Sequence, residues 1–472
     1  MRAIGETGQG PLRAGAAQVE ITPKAGTHLA GGVGQFRPAQ SVADPLYAKA
    51  LVLECGGRRI CLVTLDVTII TAPWAQKIRV GAKQFGLEPD AVMVHALQTH
   101  SAPAIGHFLL DEDFPNVPPE MEWLRGGETP YFEFASERAL EAIRLARESL
   151  QPVSVGAASA IQDGLAFNRR GVTRDGSVIM PWMYSSLERP LGPTNLRYLE
   201  GPTDPEVGVV CFRDADGRAV AALLHFTCHP VNVYAHVPNL VVSADWPGAW
   251  AAGLRDVYGS GVPLVINGCC GNINPWPPFQ PDFHPDHRRM GRELTETAGR
   301  VIERLTFSED SFLDYRTRVV PLPIRPVAPH SLDDARKMLA EYPKPKPSSH
   351  NPSDIDWDWM TAALTLSVHL LHARQPTLAY EIQALRVGDI ALVGLPGEPF
   401  VEGQLAIKIG SPTYPTYVAH CTSQYVGYLP TREAFARGGH EVNTSYWSKL
   451  APEALEMVVE NAVGLLKEVF SG

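Results

Sequence analysis

Ala219-Val-Ala-Ala-Leu-Leu224, running into His225-Phe-Thr-Cys-His229-Pro-Val-Asn232, is the stretch from which the architecture can be read. A short apolar run with polar flanks has the length of a buried strand. His229 stands where that strand gives way to loop, and Pro230 restricts the exit of the chain. In open α/β sheets, ligands gather outside the carboxyl ends of the strands. A neutral imidazole in that place is therefore positioned to hold a metal. Taken alone, such a histidine is more often a satisfied core residue, so its weight depends on what the other strand ends bring.

Four further runs repeat the pattern. Ala91-Val-Met-Val-His95 opens into Ala96-Leu-Gln98-Thr-His100-Ser-Ala-Pro103, and Val262-Pro-Leu-Val-Ile-Asn267 feeds Gly268-Cys-Cys-Gly-Asn-Ile-Asn274-Pro275. Ile390-Ala-Leu-Val-Gly-Leu395 ends in Pro396-Gly-Glu398-Pro-Phe400, a carboxylate held between prolines; Tyr417-Val-Ala-His-Cys421 leads to Gln424-Tyr425-Val-Gly-Tyr428. Residues 46–54 and 59–66 read as a hairpin over Cys55-Gly-Gly-Arg58, and 378–386 with 390–395 as another. Helical spacing covers 73–86, 130–150, 246–258, 287–305, 332–341, 356–373 and 452–469. The glycine-rich segment 26–34 does not fit a phosphate-binding fingerprint; a backbone passing close to a pocket explains it equally well. Residues 181–206, rich in Pro and Gly, read as a long loop covering one face.

Strands and helices alternate with no clear linker. The expectation is a loose arm over 1–14 and then one α/β domain, 15–472, with mixed sheets in more than one layer flanked by helices. The composition, 45% apolar and 19% charged, is that of an ordinary globular protein. A net charge of −10 argues against a nucleic-acid partner. Seven cysteines without paired C-x-x-C spacing read as reduced and buried. With no apolar leader and no run long enough to span a bilayer, the expected location is cytoplasmic, without membrane insertion.

A mononuclear zinc hydrolase needs three or four N/O ligands, an open position for water, and groups that steady the oxyanion. The strand ends offer His100, His229, Glu398, Tyr425 and Tyr428. Beyond their shared placement, seven short motifs in order carry a resemblance to the catalytic portion of the neutral, non-lysosomal ceramidases. They are Thr99-His-Ser-Ala-Pro103, Asn168-Arg169, Phe226-Thr-Cys-His-Pro230, Ser243-Ala-Asp245, Gly271-Asn-Ile-Asn-Pro275, Leu395-Pro-Gly-Glu398, and Tyr425-Val-Gly-Tyr428 followed by Thr431-Arg-Glu433. The resemblance implies one zinc ion and cleavage of an N-acyl C–N bond. Carried over by motif, His229, Glu398, Tyr428 and the residue at 98 would be metal ligands. His100, Arg169, Asn274 and His440 would act in catalysis, and Asp245, Tyr425 and Asn168 would bind substrate.

Three departures bear on this expectation. The family's His-Thr-His triplet is here Gln98-Thr99-His100, and an amide oxygen is a weak zinc ligand, so either His95 or His100 substitutes, or the metal is different, or it is bound weakly. Asn274 stands where the ceramidases carry a functional serine; it cannot act as a nucleophile, which favours attack by metal-activated water. The family's C-terminal immunoglobulin-like domain has no counterpart before Gly472. The leading expectation is a metal-dependent amidohydrolase acting on a small soluble amide. Two others stand beside it: a thiol hydrolase using Cys269 or Cys270, and a non-catalytic binding protein that kept the pocket.

Overall fold

The computed structural model describes residues 8–184, 196–259, 261–280 and 282–471. Part of the expected 181–206 loop, 185–195, lies outside these. The described remainder includes a helical turn, Pro181–Tyr184, and a strand, Leu196–Leu199.

Three sheets form the frame. In the first, Tyr47–Cys55 and Arg58–Leu65 pair as the expected antiparallel hairpin. Gly56 and Gly57, with φ of +53° and +80°, turn it, a geometry that side chains with a Cβ resist. Arg13–Glu20 extends this sheet on one side; Val92–Ala96 extends it on the other, parallel to Arg58–Leu65. The second sheet sets Ser154–Ile161, Glu206–Arg213 and Ala219–Phe226 antiparallel, with Val262–Asn267 parallel to the last. The third runs Gly8–Pro11, Asp310–Pro323, Thr377–Val387 and Ile390–Gly394 antiparallel, with Thr416–Ala419 parallel to the last. Mixed sheets in several layers are thus what the chain forms. Each sheet ends, at one edge, in a single parallel pair.

The inner faces meet in one apolar core, to which the first sheet gives Leu51, Leu53 and Leu62, the second Val210, Phe212 and Leu264, and the third Leu313, Leu385 and Leu392. Helices cover the outer faces. Thr129–Glu148 buries Phe132, Ala135, Ala139, Ala142, Ile143 and Ala146 along one stripe against the first sheet. Asp245–Tyr258 and His287–Ile302 pack on the second, and Ala454–Phe470 on the third.

The carboxyl ends of the three parallel pairs converge and are stitched together by hydrogen bonds. Leu97 N–H donates to Leu65 O (3.0 Å), Gly268 N–H to Phe226 O (3.0 Å) and Leu395 N–H to Ala419 O (2.8 Å). Across sheets, His420 N–H donates to Asn267 O (3.1 Å) and Ala96 N–H to Cys421 O (3.2 Å). The Asn267 amide donates to Leu97 O (3.0 Å) and accepts from Cys228 N–H (3.2 Å). Buried polar groups left unpaired cost about 1–3 kcal/mol each, so this seam fixes how the strand ends face one another.

Two expectations change. From Gly8 onward the 1–14 segment is strand: Gly8–Pro11 pairs with Asp310–Leu313, and a new strand starts at Arg13. A Cβ on Gly8 would lie 2.7 Å from Leu313 O, so this glycine serves close strand approach rather than freedom. Asp310–Pro323, the longest strand, was not expected, because charges at alternate positions dilute its apolar signal. Among the described residues, no helix is long and apolar enough to cross a membrane.

Candidate functional site

The converging strand ends open into a cavity of about 610 Å³. Gln98, His100, Arg169, His229, Asn274, Glu398, Tyr425, Tyr428 and His440 stand on its wall. Phe108, Trp182, Tyr234, Trp276, Trp357 and Trp447 supply aromatic surface, and Gly31 and Gly32 bring the glycine-rich backbone to its edge. A void of about 30 Å³ between the inner sheet faces has an almost wholly apolar lining and belongs to the core.

At the floor, His229 Nε2 lies 3.2 Å from Glu398 Oε2, both residues being nearly fully buried. The other ring nitrogen, Nδ1, donates to the carbonyl of Cys270 (2.6 Å), with that of Ile273 at 3.1 Å. In the neutral ring this commits the proton to Nδ1 and leaves a lone pair on Nε2. Neither Nε2 nor Oε2 has a hydrogen-bond partner, so two acceptors face each other unless a proton or a cation lies between them. Two ligands about 2.0–2.2 Å from one tetrahedral ion stand roughly 3.3 Å apart. The residues therefore fit a bound metal.

Local backbone sets this pair up. Glu398 and Tyr428 are direct partners in a short parallel ladder. A Cβ on Gly397 would sit 2.4 Å from Gly427 O, and one on Gly427 would sit 2.2 Å from Trp447 O. Only glycines let these chains come so close. Tyr425 Oη donates to Glu398 Oε1 at 2.6 Å. Burial alone would raise the Glu398 carboxyl, but the neighbouring His229, together with Tyr425 and Gln98, holds it below the usual range.

Beside the pair stands a buried charge network. Arg169 donates from Nε to Glu441 Oε1 (2.7 Å), from Nη1 to Asn274 Oδ1 (3.3 Å) and from Nη2 to Tyr428 Oη (3.1 Å). The second Glu441 oxygen accepts from Arg170, whose guanidinium also reaches Glu200 and Gly438 O. Burial works against the Glu441 charge, yet Arg169 and Arg170 outweigh it and hold the carboxyl down at about 2. Burial and the nearby Glu398 charge push the Tyr428 phenol well up, opposed by Arg169. His440, next to Glu441, stands at the open rim with its ring stacked on Trp447 (5.6 Å, 24°). Glu441 did not stand out in the sequence: its partners lie some 270 positions away, and its only local signal is a charge after Gly438-Gly-His440.

The remaining residues separate into used and free. His95 donates from Nδ1 to His420 O (2.7 Å) and accepts at Nε2 from Asn267 N–H (3.0 Å); it is a satisfied core histidine and is not free to substitute as a ligand. His100 lies on the cavity wall, its ring centroid 5.7 Å from that of His229. Burial, then the neighbouring His229, depresses its pKa to about 3, so the ring is neutral at pH 7. Among the described residues, no group of three His, Cys, Asp or Glu side chains stands in metal-holding geometry. His229 and Glu398 are a pair, and the further donors at hand are the Tyr428 phenol and the His100 imidazole.

Asp245 and Asn168 are not on the wall of the main cavity. Asp245 accepts from Val233 N–H (2.7 Å), Trp246 N–H (2.7 Å) and the Asn232 amide (3.2 Å), which folds the loop after His229. Asn168 accepts from Arg170 N–H (3.1 Å), donates to Pro202 O (3.2 Å), and faces a small recess beside the cavity. Both side chains are engaged by the surrounding loops, Asp245 by two backbone N–H groups and the Asn232 amide and Asn168 by backbone on either side. Cys269 and Cys270 have no exposed surface and do not line the cavity. Burial pushes both thiols up, so neither is a nucleophile.

No protein-family model matches the chain. Among solved structures it is similar to neutral ceramidase from Pseudomonas aeruginosa, with a TM-score of 0.69 and 19% identity over 98% of this chain and 75% of that one. It is likewise similar to a ceramidase complexed with C2, with a TM-score of 0.68 and 20% identity over 97% of this chain and 75% of that one. At such identity the likeness shows the fold, which is ceramidase-like, as the sequence motifs implied.

Proposed function

We propose that the chain is a metal-dependent amidohydrolase, zinc being the ion its donors suit, that cleaves a C–N bond in a small amide. The observation that carries this reading is the buried confrontation of His229 Nε2 with Glu398 Oε2 at 3.2 Å, at the floor of a cavity in a ceramidase-like fold. His229 and Glu398 would hold the ion, with the Tyr428 phenol beside them. When bound, zinc polarises a carbonyl oxygen and lowers the pKa of water toward ~7.

The chain's own groups supply the rest. Arg169, held by Glu441, keeps a positive charge beside Tyr428 and steadies the negative charge that develops on the carbonyl oxygen. Asn274 turns its Oδ1 to Arg169, which leaves its N–H2 as a donor for the same oxygen. His440, at the rim on Trp447, carries the proton between water and the leaving amine. The aromatic wall takes an apolar arm of the substrate and excludes water from it. With Asn274 in the loop and both neighbouring cysteines sealed, water is the attacking group.

Metal analysis of the purified protein tests the reading. One zinc per chain, lost in His229→Ala, is the expected result, together with amide hydrolysis that a chelator abolishes. Absence of any metal after loading with zinc, manganese, iron(II) or cobalt would refute it.

A further inference from the structure

We infer that His100, not Gln98, is the second imidazole-position ligand of the metal site, the ligand role having moved two residues along the same strand end. The inference rests on the metal-site reading above and adds which of this chain's residues complete it.

Gln98 is already engaged. Its Oε1 accepts from the Cys270 thiol at 3.6 Å, and its side chain is one of the groups that lower the Glu398 carboxyl. The backbone at Gln98 is left-handed, φ +66°, an uncommon conformation for a residue with a Cβ. Gln98 thus orients a ligand. His95 has both ring nitrogens bonded. His420 is wholly buried, its ring against Cys270 Sγ (3.7 Å), and it does not reach the cavity wall.

His100 differs from both. No hydrogen bond engages either of its ring nitrogens among the described residues. Its backbone is fixed at both ends: N–H donates to Pro230 O (3.2 Å), in the loop that carries His229, and O accepts from Arg37 Nη2 (2.9 Å). Its ring has a made seat. Gly31, at φ +98°, passes so close that a Cβ there would lie 2.7 Å from His100 Cγ and Nδ1. That edge of the ring is therefore occupied by backbone, and Nε2 is the nitrogen left for the cavity. Tyr234 meets the ring edge-on at 5.4 Å.

The two imidazoles also stand at the right separation. Their centroids are 5.7 Å apart with planes at 67°, and two rings bound through Nε2 to one tetrahedral ion have centroids about 5–6 Å apart. Binding requires the His100 ring to turn onto the His229–Glu398 pair. The completed set is two imidazoles, a carboxylate and a phenol, donors that suit zinc; a set with one imidazole and three oxygens would favour a harder ion such as manganese.

The test uses the full chain and reads metal binding rather than turnover. On the zinc-loaded wild type, X-ray absorption fine structure counts imidazole ligands: two are expected, and one overturns the inference. Calorimetric titration of zinc into chelator-stripped protein should show a loss of at least about 1,000-fold in affinity for His100→Ala. For Gln98→Ala the loss should be about 10–100-fold, as for a partner that only orients a ligand. The visible absorption bands of bound cobalt should change in His100→Ala and persist in Gln98→Ala; the reverse pattern overturns the inference while leaving the metal site in place. If the wild type takes up no ion at all, the metal-site reading itself has failed, and this inference with it.

Discussion

Glu441 offers the sharpest test of how the site is held. Its side chain is 1% exposed and is shared by two guanidinium groups, those of Arg169 (8%) and Arg170 (0%). Removing the carboxylate in Glu441→Ala leaves Arg169 with only the neutral Tyr428 and Asn274 and takes one of two carboxylates from Arg170. Breaking a buried pair of this kind costs about 3–5 kcal/mol, a large part of the roughly 5–15 kcal/mol that holds a domain folded. The depressed carboxyl gives a second magnitude. The carboxyl moves from 4.5 to about 2 on folding, which corresponds to ~3 kcal/mol. Because the folded-state value is the lower one, this stabilisation is fully present above pH 4.5 and is lost as pH falls toward 2. The assay is urea unfolding of wild type and Glu441→Gln at a series of pH values. A gap of a few kcal/mol at pH 7 that closes steadily below pH 4.5 is expected. A gap under about 1 kcal/mol at pH 7, or one unchanged at pH 3, would show that the carboxylate does not hold the two arginines.

Other expectations concern neighbouring parts of the site. Tyr425→Phe removes a 2.6 Å hydrogen bond to Glu398 and should weaken zinc binding about 10–100-fold, read by calorimetric titration; unchanged affinity would detach Tyr425 from the site. Asn267→Ala orphans Cys228 N–H and Leu97 O and should lower stability by about 2–5 kcal/mol in denaturant unfolding. Native protein exposed to iodoacetamide should show no labelling of Cys269 or Cys270 by mass spectrometry until it is unfolded, since neither thiol is exposed. Rapid labelling in the native state would reopen the thiol mechanism.

Most of the frame was legible because its strands are buried on both faces and read as short apolar runs with abrupt polar ends. The hairpin 46–66, the strand before His229 and the helix over 130–150 emerged within a few residues of where they stand. Asp310–Pro323 escaped because its outward side chains are charged, and Gly8–Pro11 because glycine serves tight packing as readily as looseness. Strand-end placement singled out His229, Glu398 and Tyr428, which the structure brings together on one cavity wall. Asp245 and Asn168, carried over by motif, stand off the wall of the main cavity, since a polar side chain in a motif looks the same whether it faces a cavity or a turn of backbone. Glu441 and Asn267 stayed invisible for another reason: their meaning lies in partners that only tertiary structure brings near.

The seam between the three parallel pairs has a consequence for how this protein comes together. His420 donates its amide hydrogen to Asn267 and Ala96 to Cys421 across that seam, joining three sheets drawn from distant parts of the chain. No single sheet contains a working portion of the cavity, so a partly folded chain has none of it. Contacts this distant in sequence form slowly, and the cavity is complete only when all three sheets have docked. Hydrogen exchange at these two amides should then proceed only through global unfolding, making the floor of the cavity the most sensitive gauge of the molecule's overall integrity.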